Sequence, residues 1–228
     1  MTFGMSPSVT VVIPALDEES QVAAAIRSVR PEAEVIVVDG GSRDATRDIA
    51  AREGARVLET PRGRGRQLDA GARAASGEWL LFLHADTRLE RGWREALGAL
   101  PAEVVGGAFR LAVDSPRAGF RVVEQGVRLR LRLFGLPYGD QGLFARREVY
   151  ARIGGIPHLP LMEDVAFVAR LRRAGRLAFP PVRAFTSPRR WDRYGILGTT
   201  LRNWSLLAGY AAGQSPERLA RRYGRGAP

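Results

Sequence analysis

The sequence predicts an α/β protein with a doubly wound, mostly parallel sheet and helices on both faces of that sheet. Short runs of β-branched and aromatic residues recur along the first half of the chain, and segments with apolar residues at helical spacing separate them. Strands and helices that alternate in this way form parallel sheets through right-handed crossovers. With 45% hydrophobic residues among 228, the chain can also bury a substantial core.

The elements of the first half have clear limits. Pro14 stops the first apolar run, a glycine pair after Asp39 stops the second, and His84 ends the fourth. A glycine-punctuated basic loop at 60–67 leads into a helix expected at 68–75. The four strands are expected at residues 9–13, 35–38, 56–59 and 79–84.

The second half is less regular. Residues 104–113 read as a strand broken by a glycine pair at 106–107. Residues 127–133 alternate as a strand would, but the length of 117–134 without turn signals favours a basic amphipathic helix with five arginines. Helices are also expected near 93–100, 147–153, 163–174, 194–213 and from 215 onward, and strands at 176–179 and 182–186. We find no linker and predict one domain over 1–228.

The composition restricts the classes of site and partner. The chain has no cysteine, which excludes disulfides, zinc–thiolate sites and thiol nucleophiles. Its net charge of +11, carried by arginine, favours nucleotides, phospholipid surfaces or nucleic acid, although a bias toward arginine and alanine would produce it too. Because the aromatic residues fall inside predicted strands and helices rather than along a localised basic face, we expect no nucleic-acid partner.

Neither a signal peptide nor a membrane span is expected. The first residues lack a basic segment followed by an apolar one, and no apolar run approaches the roughly 20 residues that cross a bilayer. We therefore predict a cytoplasmic protein, with peripheral contact to the inner face of the cell membrane as an alternative.

Polar segments follow three of the predicted strands, at 14–18, 39–44 and 84–86. In an open α/β sheet the carboxyl ends of the strands meet at one crevice, where ligands bind. The chain has neither a GxGxxG fingerprint nor a Walker loop, so an anionic ligand would need a metal or arginines. Asp86 offers oxygen to a hard divalent cation, and on an extended backbone His84 would point to the same side. Alone, Asp86 could equally be a turn former or a helix cap.

These segments resemble the family 2 glycosyltransferases of the GT-A fold. The stretch Val-Val-Ile-Pro-Ala-Leu-Asp-Glu-Glu at 11–19 is similar to the opening motif of that family, with Asp17 where Asn is usual. Val-Asp-Gly-Gly-Ser-Arg-Asp-Ala-Thr at 38–46 resembles its second nucleotide-binding motif, and Gly-Arg-Gln-Leu-Asp-Ala-Gly at 65–71 the loop and helix that follow.

The remaining motifs occur in the order of the family. His-Ala-Asp at 84–86 occupies the DxD position with His for the first Asp, and Glu-Asp at 163–164 matches the acidic pair that supplies the catalytic base. The sequence is most similar to a small bacterial-type subgroup written with His-Ala-Asp-Thr and, at 135–142, Gly-Leu-Pro-Tyr-Gly-Asp-Gln-Gly. The segment Ser-Pro-Arg-Arg-Trp at 187–191 resembles the QxxRW motif of processive members but lacks its Gln.

The resemblance implies a GT-A, Rossmann-like fold with a nucleotide-sugar-binding half at about 8–113, a smaller acceptor and catalytic half at about 114–190 and a helical tail at about 191–228. It implies an inverting, metal-dependent transfer from a UDP- or GDP-sugar, with Asp164 as general base beside Glu163 and Mn²⁺ or Mg²⁺ at Asp86. His84 could ligate the metal, contact the ribose or be structural. The resemblance also implies that Arg66 faces the phosphates of the nucleotide, with Arg64 as an alternative. The implied nucleotide-sugar contacts are Pro14, Ala15, Leu16, Glu18, Asp39, Gly40, Ser42, Arg66, His84 and Ala85.

The acceptor follows from the basic apolar segments rather than from a motif. Residues 117–134 and 194–213 suit contact with an anionic bilayer, so a hydroxyl or carboxylate of a lipid-like acceptor, such as a carotenoid acid or a polyprenyl carrier, is the favoured substrate. Alternatively these helices pack on the sheet or form a homodimer interface. Two other functions remain open: a non-catalytic nucleotide-sugar-binding protein, and a sugar nucleotidyltransferase, whose lysine-containing first loop is absent here.

Overall fold

The computed structural model describes residues 7–225. Ten strands lie in this part of the chain: β1 Val9–Ala15, β2 Glu34–Asp39, β3 Arg56–Glu59, β4 Trp79–Phe82, β5 Thr87–Leu89, β6 Val104–Ala108, β7 Arg110–Val113, β8 Leu143–Arg146, β9 Arg176–Ala178 and β10 Arg183–Thr186. The α-helices are α1 Val22–Val29, α2 Thr46–Arg52, α3 Arg64–Ala74, α4 Trp93–Gly98, α5 Gly119–Phe134, α6 Arg147–Arg152, α7 Glu163–Ala174, α8 Arg189–Tyr194, α9 Ile196–Ala211 and α10 Pro216–Arg225. A 3₁₀ helix spans Gly139–Gln141.

The strands form two sheets. The larger has the order β3-β2-β1-β4-β8-β6-β9, in which β8 alone among the described strands runs antiparallel to its neighbours, and the smaller has the order β5-β10-β7. Alternate side chains of β1 enter different cores. Val11 packs with Ile26 of α1 on one face, and Val12 packs with Leu68 of α3 and Phe167 of α7 on the other. The predicted doubly wound, mostly parallel sheet with helices on both faces is confirmed.

Some boundaries differ from the predicted ones. β1 continues through Pro14, which lies beyond the last pair of β1 with β4, where no ladder hydrogen bond requires an N–H. α3 begins at Arg64 rather than at 68. The chain packs closely there, since a Cβ at Gly65 would lie 2.5 Å from the carbonyl oxygen of Pro157. The expected loop is therefore the first turn of the helix.

The predicted strand at 104–113 is two strands in different sheets. The glycine pair at 106–107 does not break it, because these residues lie inside β6, where a Cβ at Gly107 would fall 1.8 Å from the Ala178 oxygen of β9. The chain changes sheet at Phe109, whose amide donates to the carbonyl oxygen of Gln141 at 2.9 Å. One continuous segment thus belongs to both sheets.

The segment at 117–134 forms the amphipathic helix α5, so the strand alternative is wrong. The short strand β5 and the short helix α8 were not predicted. Helices α5, α8, α9 and α10 lie together beside the smaller sheet. Across residues 7–225, none of the helices has both the length and the apolarity needed to span a bilayer.

Candidate active site

The loops after β1 and β2 are joined by hydrogen bonds between backbone amides and side chains. The Asp17 amide donates to Ser42 Oγ at 2.9 Å, and the Glu18 amide donates to Thr46 Oγ1 at 2.8 Å. In return, the Arg43 amide donates to Asp17 Oδ1 at 2.9 Å. Asp17 has a φ of +54°, a left-handed conformation that Asn and Asp adopt more easily than other non-glycine residues. The two loops therefore form one rigid rim.

Asp39 ends β2 and is fully buried. Its Oδ1 accepts hydrogen bonds from the amides of Gly41 and Ser42, each at 2.9 Å, and its Oδ2 accepts one from the Ser42 hydroxyl. A buried carboxylate needs such partners to offset its lost hydration. Its oxygens thus hold the turn that contains Gly40 and Ser42.

Gln67 of α3 ties the ends of the two central strands together. Its buried Nε2 donates to the carbonyl oxygens of Ala15 and Val38 at 2.9 and 2.8 Å. Gly40 leaves room for this amide, since a Cβ at Gly40 would lie 3.0 Å from Gln67 Nε2. Gln67 therefore fixes the spacing of the strand ends beneath the crevice.

The first cleft, of about 340 Å³, opens at the carboxyl ends of β1 and β4. Six of the ten predicted nucleotide-sugar contacts line it: Pro14, Ala15, Leu16, Glu18, His84 and Ala85. The other four, Asp39, Gly40, Ser42 and Arg66, are not among the lining residues. His84 and Asp86 meet in this cleft although β4 ends at Phe82, because the chain turns there and the Thr87 amide donates to the His84 carbonyl oxygen at 3.0 Å.

The arginines of the basic loop differ in orientation. Arg62 and Arg64 line the first cleft, whereas Arg66 is exposed on α3 and lines neither the first cleft nor the second one described below. A helix turns 100° per residue, so positions 64 and 66 point to nearly opposite sides. Of the two arginines suggested for phosphate, the structure brings Arg64 to the cleft.

The second cleft, of about 380 Å³, lies at the start of α7 and contains Asp164. It shares the residues Arg62, Arg64, His84 and Pro160 with the first cleft, so the two spaces adjoin. The other side chains that enclose it come from the 3₁₀ helix, the loop before α7, α9 and α10: Tyr138, Asp140, Leu161, Met162, Asn203, Leu206 and Tyr223.

The Asp164 carboxylate is held by a backbone amide. Its Oδ2 accepts a hydrogen bond from the Gly139 amide at 2.8 Å. A Cβ at Gly139 would lie 2.9 Å from His84 Nε2 and 3.4 Å from Asp164 Oδ2, so both side chains crowd this glycine. Gly139 therefore allows an imidazole from one cleft and a carboxylate from the other to converge.

Glu163 is buried and forms an ion pair with Arg64. Burial alone would lower the pKa of the Arg64 guanidinium, but the negative charges of Glu163 and Asp164 raise it above its usual value. The ion pair joins the first turn of α3 to the first turn of α7. It therefore fixes the two clefts relative to each other.

Arg189 of α8 reaches across the first cleft. Its guanidinium lies 2.7 Å from Glu18 Oε2 and 3.3 Å from Asp86 Oδ2. Burial raises the pKa of the Glu18 carboxyl, and the ion pair with Arg189 offsets only part of that rise. Trp191, two residues later, packs edge-to-face on Phe120 of α5 with the ring centroids 5.8 Å apart, in a buried position.

A hydrogen-bond network around the buried Asp69 supports the loop before α7. Asp69 of α3 accepts hydrogen bonds from the Tyr150 hydroxyl at 2.8 Å and from Arg73 at 2.9 Å, and His158 Nε2 lies 3.0 Å from its Oδ2. The Ile156 amide in turn donates to the Tyr150 hydroxyl at 3.1 Å. His158, in the loop between α6 and α7, thus takes part in anchoring the chain that leads to Asp164.

A comparison with known families agrees with this arrangement. The model of the family described as Glycosyl transferase family 2 matches residues 10–131, which is more than half of the chain. The chain belongs to this family. The match covers the rim, the basic loop and the turn with His84 and Asp86, and it extends into α5.

Individual relatives match a shorter part of this family 2 glycosyltransferase than the family model does. An uncharacterized glycosyltransferase of Mycobacterium bovis is 37% identical over 86 residues, which are 37% of this chain and 39% of the relative. The chain thus matches little more than a third of that protein. The fold of the present chain is similar to that of the mannosyltransferase PcManGT from Pyrobaculum calidifontis, solved with GDP-Man and Mn²⁺. The TM-score is 0.61 at 21% identity, and the match covers 80% of this chain and 57% of that chain.

A second solved structure has the same fold. Residues 1–349 of S. aureus TarS in complex with UDP give a TM-score of 0.63 at 18% identity, covering 79% of this chain and 61% of that chain. At these identities the likeness shows the GT-A-like fold of the family 2 glycosyltransferase.

PcManGT was solved with Mn²⁺, a divalent cation that is held by oxygen and nitrogen ligands. Within residues 7–225, no three His, Cys, Asp or Glu side chains are grouped as a metal site requires. Mg²⁺ and related hard cations often use only one or two carboxylates and complete their shell with substrate phosphates and water. Asp86, a partly exposed carboxylate in the first cleft, fits that arrangement.

Several residues of this family 2 site were not predicted from the sequence. Tertiary packing brings three residues into the second cleft, namely Arg62, Tyr138 and Gly139. Gln67 bonds to backbone carbonyl groups, which every residue has, so its partners leave no signal in the sequence. Asn203 of α9 lies outside every motif. The glycine at 139 was a detectable signal, since it sits in a short run with three glycines between α5 and β8.

Proposed function

We propose that this family 2 glycosyltransferase transfers a sugar from a UDP- or GDP-sugar to a hydroxyl or carboxylate of an acceptor, with inversion at the anomeric carbon. One observation carries the proposal. Two adjoining clefts share a wall that includes Arg64 and His84, and one contains Asp86 while the other contains Asp164. The first suits a nucleoside diphosphate, and the second suits a nucleophile that approaches its sugar.

In this proposal the first cleft binds the nucleotide. The segment from Pro14 to Leu16 and Ala85 offer backbone groups and small side chains against the base and ribose, with Glu18 at the edge. Asp39, Gly40 and Ser42 hold the rim in shape, in keeping with the hydrogen bonds within their loop. Direct contact of these three and of Arg66 with the nucleotide stays a prediction.

The diphosphate would lie near Arg62, Arg64 and Asp86. A Mn²⁺ or Mg²⁺ ion held by Asp86 would neutralise charge on the departing nucleoside diphosphate. Arg189 already pairs with Asp86 and Glu18, so a second positive group is available beside the phosphates. His84 lies where it could contact the ribose, the cation or the sugar.

Asp164 is the proposed general base. Its Oδ takes the proton of the acceptor hydroxyl while that oxygen forms a bond to the anomeric carbon and the bond from this carbon to the phosphate oxygen breaks. The Gly139 amide donates a hydrogen bond to this carboxylate and fixes its orientation. Glu163 acts through its ion pair with Arg64 and positions the helix start.

The acceptor class is proposed from the surface beside the second cleft. Helices α5 and α9 expose large apolar side chains, and α5 also exposes arginines. Such a face suits a lipid-like acceptor and peripheral contact with an anionic bilayer on the cytoplasmic side. A carotenoid acid or a polyprenyl carrier has the required chemistry.

The test compares turnover with binding. Donor hydrolysis by the full chain is measured with a panel of UDP- and GDP-sugars and Mn²⁺, and nucleotide affinity is measured by calorimetry. We expect Asp164→Asn to lower turnover by about 10²–10⁴-fold and to leave the Kd for the nucleotide unchanged. Asp86→Asn should weaken nucleotide binding only in the presence of Mn²⁺. Asp114→Asn, at an exposed position outside both clefts, is the control.

The alternatives predict other results. Tight nucleotide binding without turnover by the unaltered chain would indicate a non-catalytic nucleotide-sugar-binding protein. Formation of a nucleotide sugar from a sugar phosphate and a nucleoside triphosphate would indicate a nucleotidyltransferase. Either result would refute the proposed transfer.

A further inference from the structure

A third space adjoins the second cleft and has a different character. It is an apolar groove of about 580 Å³ between α5 and α9, within the range of about 300–1,000 Å³ that is usual for small-molecule sites. The apolar lining comes mainly from Val122, Val123, Gly126 and Val127 of α5 and from Leu197 and Trp204 of α9. We call this space the α5–α9 groove.

One end of the α5–α9 groove meets the second cleft. Tyr138, Asp140 and Asn203 line both spaces. At this end the buried Arg130 stacks on the Tyr138 ring, 3.5 Å from its centroid, and donates to the Leu136 carbonyl oxygen at 3.0 Å. The groove is therefore polar where it approaches Asp164 and apolar along the rest of its length.

The helices that border the groove have apolar stripes facing solvent. On α5 the stripe is Val122, Leu129 and Leu133, and on α9 it is Leu197, Leu201 and Trp204, with side chains between 50% and 73% exposed. Spacings of three, four and seven place each set on one face of its helix. Exposed apolar residues in contiguous rows mark an interaction site.

Charge favours an anionic lipid surface over a second copy of the chain. Exposed Arg121, Arg128 and Arg132 form a row beside the apolar stripe of α5. In a two-fold symmetric contact each copy presents the same patch, so these rows would oppose like charges at a cost of several kcal/mol. Anionic phospholipid head groups would instead pair with the arginines while the stripes contact the acyl region.

We infer that the α5–α9 groove binds the hydrocarbon chain of an amphiphilic acceptor that resides in an anionic membrane. The polar end of that acceptor lies at Tyr138, Asp140 and Asn203, next to Asp164, and its chain lies between the helices. This inference rests on the proposed function, because it assigns the groove to the acceptor of the same transfer. The exposed stripes let the acceptor enter from the bilayer without crossing water.

The test fills the groove at one of two comparable glycines. A Cβ at Gly126 of α5 or at Gly198 of α9 would meet nothing within 4 Å, but only Gly126 lines the groove. The probe is a C16 alcohol with a nitroxide at its far end, used below its aggregation concentration, and the readout is quenching of tryptophan emission. We expect Gly126→Leu to raise the probe Kd by at least about tenfold and Gly198→Leu to leave it unchanged.

Two further variants secure the interpretation. Trp204→Phe should remove much of the quenching, because Trp204 lines the groove. Val122→Asp places a charge at an exposed groove position and should weaken probe binding. This variant tests the assignment even if Gly126→Leu does not fold. Equal affinity in all folded variants would overturn the assignment. The assignment would also be overturned if the unaltered chain formed a stable dimer that binds no probe and that Val122→Asp dissociates.

The proposed function is monitored separately through UDP or GDP affinity and donor hydrolysis. If Gly126→Leu no longer binds the probe but retains nucleotide affinity and donor hydrolysis, the groove assignment is supported. If the probe binds in a groove-dependent manner but the unaltered chain hydrolyses no donor, the proposed transfer fails and the hydrocarbon site stands. If transfer to the C16 alcohol proceeds equally well in Gly126→Leu, the groove assignment fails and the transfer stands.

Discussion

The rim around the first cleft and the face formed by α5 and α9 differ in how much their side chains contribute to folding. In the rim, side chains such as Asp39, Ser42 and Thr46 are bonded to the backbone amides of neighbouring loops, so folding and ligand geometry depend on the same groups. On the α5–α9 face, Leu129 and Leu201 leave most of their apolar surface in solvent and contribute little to folding. The rim therefore contributes to folding stability, whereas the exposed apolar side chains of the helical face contribute little to it, as the proposed role in binding an acceptor would lead us to expect.

The point where the two regions meet should give the largest effect. Gly139→Ala adds a methyl group 2.9 Å from His84 Nε2 and 3.4 Å from Asp164 Oδ2, so the His84 imidazole must move beside Asp164. A displacement near 1 Å can cost about 10² in rate, and we expect a fall of that size in donor turnover. The variant's Tm should change little, because Ala accepts the backbone conformation of this residue.

Gly224→Ala is the matched control, since its Cβ meets nothing within 4 Å in α10. It should leave turnover as it is. Unimpaired turnover in Gly139→Ala would mean that His84 and Asp164 need not converge, and the two clefts would then be independent sites.

The rim should respond to loss of hydrogen bonds by loss of stability. Gln67→Leu keeps the volume of the side chain but removes its hydrogen bonds to the carbonyl oxygens of Ala15 and Val38. The Ala15 oxygen still accepts a hydrogen bond from the Gly40 amide at 2.9 Å. A net contribution of about 0.5–1.5 kcal/mol per hydrogen bond leads us to expect the free energy of unfolding to fall by about 1–3 kcal/mol in urea titrations. Gln125→Leu, on the exposed side of α5, should change it by less than about 0.5 kcal/mol.

The network at Asp69 should make the free energy of unfolding depend on pH in the acidic range. Burial alone would raise the pKa of the Asp69 carboxyl, but hydrogen bonds from Arg73, Tyr150 and His158 lower it below its usual value of 3.8. The unfolded chain then takes up this proton at a higher pH than the folded protein, so acidification favours unfolding. The contribution is fully present above the usual pKa and is lost as the pH falls through the folded-state pKa.

Asp69→Asn tests this linkage. At pH 7 we expect the variant to be less stable by about 1.5–3 kcal/mol, the range for hydrogen bonds to charged groups. The difference from the unaltered chain should shrink as the pH falls below about 4. A difference that is the same at pH 7 and pH 3 in denaturant titrations would argue against a charged Asp69.

The helical face should give the smallest effect on folding. Leu201→Ser removes an apolar side chain that is 59% exposed, and we expect the free energy of unfolding to change by less than about 0.5 kcal/mol. The same variant should bind less well to vesicles of phosphatidylcholine and phosphatidylglycerol in a sedimentation assay. A destabilisation comparable to that of Gln67→Leu would remove the contrast between the two regions.

The sequence was informative where local pattern decides structure. The buried strands, the limits of α7 and the order of the motifs follow from periodicity and punctuation, and the family assignment follows from the motifs. The clefts depend on long-range packing. Arg66 was expected at the phosphates from the family resemblance, but it lies on the exposed side of α3, and Arg62 and Arg64 line the cleft instead.

Other features had no local signal. Residues 104–113 form two strands because Phe109 bonds to Gln141, which is 32 positions away. Trp204 and Val122 line the same groove only because α5 and α9 pack side by side. A basic apolar stretch could be recognised as amphipathic, but the sequence could not show that its groove continues to Asp164.

The buried ion pair between Arg64 and Glu163 has a kinetic consequence. Separating α3 from α7 would leave an uncompensated charge away from water, at a cost of about 3–5 kcal/mol. This ion pair therefore holds the start of α7 against the start of α3. In the proposed transfer, Asp164, the neighbour of Glu163 in sequence, would already be in position before the substrates bind, and we expect no conformational closure to be needed to assemble the base.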